Sequence, residues 1–146
     1  ISHGQRGVVV IDRDKEEHEW GHFIVKDLEP GKRNSWGSKN TKVCLKPKTW
    51  NQGGYDAVLV VKENENQLVR FVQLTKSSCH ELKMKYFSEC LEALGIHGGD
   101  GWTVEIVFVV DKEILAGFKV GKVEQAGALS EYGWKKGREK DQVMVM

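Results

Sequence analysis

The chain has 146 residues, 40% hydrophobic and 29% charged, which is the size and balance of one folded domain with a real core. A formal charge of +1 gives no global drive towards phosphate, so nucleic-acid contact would need a local basic face, such as residues 39–48 or 135–140. No apolar run approaches the roughly 20 residues of a membrane helix, and the first residues lack the layout of a signal peptide.

The expectation is therefore a soluble chain with no membrane partner, and its opening at Ile1 rather than Met suggests a fragment of a longer protein. Cys44, Cys79 and Cys90 are odd in number and form no CxxC pair, which argues against a disulfide framework or a zinc site and fits a reducing, intracellular compartment.

From Gly7 to Val25 the pattern reads strand, short helix or turn across the charged residues Asp12 to Glu19, and strand. Residues 29–40 form an irregular loop by composition, and the weak alternation from Thr41 to Leu45 ends at Pro47. Tyr55 to Val61 and Gln67 to Thr75 are β-branched and aromatic runs flanking Glu63-Asn64-Glu65-Asn66, which predicts a β-hairpin centred between Asn64 and Glu65. That register sets Val61 opposite Leu68, Val58 opposite Phe71 and Asp56 opposite Gln73. Asp56, Val58, Val60, Val69, Phe71, Gln73 and Thr75 then share one face.

Ser78 with Glu81 three residues on resembles a capping box, and Leu82, Tyr86, Phe87, Cys90, Leu91 and Leu94 form one stripe, so a helix is predicted up to Leu94 with Gly95 as its stop. Trp102 to Val110, apolar except for Glu105 and two hydroxyl or aromatic positions at its start, suits a central strand that returns to the same sheet. The tail predicts a short strand at 118–120, a helix-rich stretch over 124–140 and a final apolar segment at 143–145. Together these give a single α/β domain over 1–146, a mixed central sheet with flanking helices, in which 1–50 is an N-terminal segment and 51–146 the core.

An acidic residue opening a hairpin, a second oxygen ligand late in the next strand and a helix after it form the skeleton of a PD-(D/E)XK nuclease site, where Mg²⁺ requires oxygen ligands and a lysine stabilises charge. Asp56 fits the first position, Gln73 the second and Thr75 the lysine position, while Lys76 is the nearest cation and Glu17 or Glu19, in an early helix, offers a further carboxylate. The plainer alternative has Asp56 capping a turn after Gly53-Gly54 and Gln73 bonding backbone at the sheet end. His18 and His22 have i, i+4 spacing but no HExxH glutamate. Trp36, flanked by Lys32, Arg33 and Lys39, is the aromatic best placed to stack on a base, whereas Trp20, Trp50 and Trp134 are expected to be buried.

Tyr55-Asp56-Ala57, Phe71 to Thr75, His80, Phe87 to Leu91 and Trp102 to Ile106 occur in an order that resembles the C-terminal part of trypanosomatid retrotransposon hot spot proteins, and is similar in kind to the Crinkler effectors. The resemblance covers residues 50–110 and implies a restriction-endonuclease-like fold, nucleic acid as partner with DNA or RNA left open, a Mg²⁺ cofactor, and a nuclear location with nuclear protein partners. It implies Asp56, Gln73, Thr75 and His80 as the functional polar set, with Lys76 beside them. His80 is expected near a helix start, where the dipole favours neutral imidazole. Two readings follow: a nucleic-acid-binding domain with weak or degenerate nuclease activity, and a non-enzymatic protein-interaction module. A third is a toxin-like effector nuclease. The sequence contains no G-x-x-x-x-G-K-[ST] nucleotide loop.

Overall fold

The computed structural model describes residues 2–4, 7–28, 41–47, 55–63 and 65–146. Three short strands, β1 (Ser2–Gly4), β2 (Gly7–Ile11) and β3 (Glu17–Gly21), pair antiparallel in that order. There follow β4 (Ile24–Leu28), β5 (Thr41–Pro47), β6 (Ala57–Glu63), β7 (Asn66–Thr75), β8 (Cys79–Lys83), helix α1 (Met84–Ala93), β9 (Thr103–Val110), β10 (Lys119–Glu124), the short helix α2 (Glu139–Gln142) and β11 (Met144–Val145). Six strands form one mixed sheet in the order β11-β9-β7-β6-β5-β4, and β8 pairs parallel with β10 as a separate ribbon. The fold is thus α/β with a mixed central sheet, as patterning predicts, and with fewer helices than expected.

The hairpin of β6 and β7 has the expected register, with Val61 opposite Leu68 and Val58 opposite Phe71. Val58, Val60, Val69 and Phe71 are all completely buried, and each contributes about 1.5–3 kcal/mol by leaving water. On that face Leu45, Ile106 and Phe108 join them against Met84, Phe87, Cys90 and Leu91 of α1. On the opposite face Leu59, Val72, Val107 and Val109 pack against Val10 and Trp20 of the three-stranded sheet. β9 is therefore covered on both sides, which accounts for its nearly continuous apolar run. It lies parallel to β7, with β8 and α1 in the crossover between them.

Three points of the sequence reading are settled. Of the two alternatives for the charged stretch after β2, the turn is the one present, so Glu17 and Glu19 lie on a strand and not in an early helix. Asp12 accepts the N–H groups of Asp14 and Glu16, Lys15 takes a left-handed φ of 66°, and the resulting turn delivers Glu17 and Glu19 into β3. The helix expected from Ser78 begins only at Met84, because 79–83 alternate as a strand with Leu82 inward, and the Ser78 carbonyl accepts the Lys119 N–H at 2.9 Å to start the β8–β10 pairing. Its end is as expected: Gly95 is left-handed at φ 72°, and the N–H groups of Leu94, Gly95 and Ile96 close on the last carbonyls. The helix-rich tail is instead a run of turns, one 3-10 turn over Ser130–Tyr132 and the four-residue α2, since Gly127, Gly133 and Gly137 all have positive φ. The loop at 29–40, with Lys32, Arg33, Trp36 and Lys39, and Trp50 lie outside the described residues.

Glu139 organises those turns. It is 1% exposed, and its two carboxylate oxygens accept the Gly127 N–H at 2.7 Å and the Gly137 N–H at 2.8 Å. Burial alone would raise its carboxyl pKa, but the N–H groups of Gly127, Glu139 and Gly137 and the charge of Lys136 hold it below the ordinary value. A carboxyl depressed in the folded state stabilises fully above its unfolded pKa of about 4.5, and loses that contribution as pH falls through the lower folded value. Glu139→Gln is expected to lower stability by about 1–3 kcal/mol at neutral pH, and to flatten the fall in urea midpoint between pH 5 and pH 3; urea titrations of both proteins across that range check it.

Candidate functional site

The site begins where β6 stops and β7 runs on. Asp56 N–H still donates to the Val72 carbonyl at 2.8 Å, one residue before β6 itself. Beyond that point β7 has no backbone partner from β6, and the Asp56 carboxylate takes over: Oδ2 accepts the Leu74 N–H at 2.7 Å. The same oxygen accepts Gln73 Nε2 at 3.0 Å, and Nε2 also reaches the Leu74 carbonyl at 3.3 Å. A carboxylate and a carbonyl both accept, so the Gln73 amide must turn its nitrogen towards them and its Oε1 away. Among the described residues, Asp56 Oδ1 and Gln73 Oε1 accept no hydrogen bond. Each of these neighbouring side chains thus keeps one oxygen that is unengaged among the described residues.

Tyr55 fixes this corner from below, with ring centroids 5.3 Å from Phe71 and 6.2 Å from Phe87, while Phe71 and Phe87 are 4.9 Å apart. The pair Asp56 and Gln73 therefore stands directly on the aromatic contact between sheet and helix.

His80 lies on β8 and not at a helix start, so the expected dipole effect has no basis here. Its Nδ1 is 2.7 Å from the Glu81 carbonyl, which can only accept, so Nδ1 donates there and Nε2 has no partner among the described residues. The ring packs on Phe108 at 5.2 Å, and Phe108 is the register partner of Gln73 in β9. Asp56, Gln73 and Phe108 are thus neighbours across the end of the sheet, and His80 of the separate β8–β10 ribbon packs on the last of them. Thr75 shares the Gln73 face two residues further on, where its Oγ1 accepts the Ser77 N–H at 3.1 Å. Lys76 is exposed just past the end of β7.

Glu17 is not brought to this end of the sheet. It sits on β3, in the layer that covers the opposite sheet face, and among the described residues no group of three or more His, Cys, Asp or Glu side chains could hold a metal. His18 instead contacts Asp12 at 2.7 Å, and that bond, with the N–H of Glu16, lowers the Asp12 pKa. The basic group Lys32, Arg33 and Lys39 with Trp36 lies outside the described residues.

Two polar clusters escape sequence reading. Arg70 Nε donates to Glu105 Oε2 at 2.7 Å while its guanidinium lies 4.5 Å from the Trp20 ring, which ties the small sheet to the large one. The available signal was a lone opposite charge in each of two apolar strands. The Arg13 guanidinium donates to the Phe118 carbonyl, a contact of the β2–β3 turn with a residue 105 positions away that no local pattern announces.

A scan against protein-family models, a search of curated proteins and a search of solved structures return no match.

The capping role of Asp56 separates from its charge. Asp56→Ala should cost about 1 kcal/mol, the net worth of the lost hydrogen bonds, whereas Asp56→Asn keeps an acceptor for Leu74 and should cost less than half of that; thermal unfolding of the two variants beside the unmodified protein checks the order.

Proposed function

We propose that the chain is a nucleic-acid-binding domain with a restriction-endonuclease-like hairpin, helix and strand core, and that Asp56 and Gln73 begin a weak Mg²⁺ site for phosphodiester cleavage. The observation that carries this reading is the contact of Asp56 with Gln73 on adjacent strands at the rim of the covered face, with Asp56 Oδ1 and Gln73 Oε1 accepting no hydrogen bond among the described residues. The ordered motifs between residues 50 and 110 support it, because their polar members Asp56 and Gln73 are in contact and His80 packs on Phe108 beside Gln73.

Mg²⁺ takes oxygen ligands, keeps several waters, and commonly uses one or two carboxylates together with substrate phosphates. One carboxylate and one amide oxygen suit an ion that arrives with the nucleic acid and is held loosely without it. Such an ion lowers the pKa of a bound water and offsets phosphate charge. The protein's own part is to hold the Asp56 and Gln73 side chains in place through the Leu74 N–H and the Gln73 amide, to offer His80 Nε2 as a proton acceptor for a water, and to place Lys76 at the strand end as an exposed positive charge.

Plasmid DNA and a structured RNA, incubated with millimolar Mg²⁺ or Mn²⁺, test the chemistry. Asp56→Asn should cut on the order of 100-fold more slowly with its fold intact; equal cutting by both proteins would reject the site.

A second reading, a protein-interaction module in nuclear assemblies, draws on Ile24 and Val25, which are 66% and 59% exposed on β4, the outermost strand of the six. It predicts partner proteins that survive nuclease treatment and are lost with Ile24→Glu/Val25→Glu; capture unchanged by that variant argues against this edge.

A further inference from the structure

The turns after β10 hold a run of cations whose placement the site above does not use. Lys135, Lys136, Arg138 and Lys140 are all exposed. The backbone that carries them is closed by its own side chains. Trp134 is 4% exposed and donates its indole N–H to the Val104 carbonyl at 2.9 Å. Gln142 Oε1 accepts the Lys135 N–H at 2.8 Å, and Glu139 gathers the N–H groups of Gly127 and Gly137. An ordinary charged surface run keeps both signs in the solvent. Here Glu139 is turned inward, and the other acid, Asp141, is engaged by Arg138 at 2.9 Å. Among the described residues Lys135, Lys136 and Lys140 make no ion pair, although Lys136 is near enough to Glu139 to help hold its carboxyl low. The segment therefore presents cations on an anchored backbone, with one of its two acids withdrawn from the surface.

We infer that this loop is a binding surface for the phosphate backbone of nucleic acid, an inference that rests on the nucleic-acid reading above and gives it a place. Lys135 to Lys140 run through tight turns, closed by the Arg138 N–H on the Lys135 carbonyl and the Asp141 N–H on the Arg138 carbonyl, which gathers the cations in one place against phosphates that advance about 3.4 Å each along one strand of a duplex. Trp134 anchors the loop at Val104, four residues along β9 from Phe108, the partner of Gln73. The loop therefore starts about 13 Å along the strand direction from the level of Gln73 and ends at β11, where Met144 pairs with Val107 beside Phe108, a span that a few nucleotides bridge.

Fluorescence anisotropy with a labelled single-stranded oligonucleotide and its duplex, over about 50 to 300 mM salt, tests it. Lys135→Gln/Lys136→Gln/Lys140→Gln should bind at least tenfold more weakly at the low end, with a salt slope smaller by about 2 to 3. Arginine at the same three positions should restore both, which excludes misfolding as the cause. Lys26→Gln/Lys85→Gln/Lys112→Gln removes the same charge elsewhere and should bind like the unmodified protein. Equal slopes for the loop variant and the unmodified protein, or an equal loss in the control, would overturn the loop while leaving the nucleic-acid reading standing. An unmodified protein that binds neither nucleic acid removes that reading and the loop with it, as does binding confined to phosphatidylserine vesicles.

Discussion

The pairing of Val58 with Phe71 is the constraint on which the rest of the structure hangs. Side chains alternate along a strand, so a slip of one residue would turn Val58, Val60, Val69 and Phe71, all completely buried, out of the core. At about 1.5–3 kcal/mol for each exposed side chain, the slipped register lies far above the native one. The same pairing sets Asp56 beside Gln73, so the corner that carries the proposed chemistry inherits its position from apolar packing two residues away. No polar interaction has to find that geometry alone.

Charge is handled in three ways. Arg70 and Glu105 are largely enclosed, and they satisfy one another under the Trp20 ring, where removing either partner would strand the other. Glu139 is fully enclosed and spends both oxygens on backbone N–H groups, converting a string of glycine turns into a fixed loop. Asp56 is exposed, and uses one oxygen for the end of the ladder. Glu139 uses both oxygens, whereas Asp56 and Glu105 each show one engaged among the described residues. Exposure separates the last two: Asp56 stands at the sheet rim and Glu105 is half-buried under Arg70, which is why the rim supports the proposed reading.

The hairpin, the central strand and the Gly95 stop were legible because each is encoded locally: alternation for the first, a continuous apolar run for the second, a left-handed residue for the third. Where helix α1 starts was not. Ser78 and Glu81 carry a cap signature, but the backbone of residues 79–83 is claimed by β10, some 40 positions later, and a pairing so distant leaves no trace in the local pattern. The same holds for the turn after β2, whose charges suit an exposed helix until Asp12 gathers the N–H groups of Asp14 and Glu16. Within the candidate site, Asp56 and Gln73 could be placed together from register alone, whereas His80 could not, since it reaches them through Phe108.

By itself the sequence determined the hairpin, its register, the face it buries and the neighbours Asp56 and Gln73, because side-chain periodicity and turn chemistry act over a few residues. Only the tertiary structure decided which oxygens of that pair are engaged, that Glu17 belongs to the opposite layer, and that Glu139 withdraws into the turns and leaves Lys135, Lys136 and Lys140 outside. Those outcomes depend on which neighbouring strand or turn supplies a donor, and a hydrogen bond between separate elements is settled only when they pack.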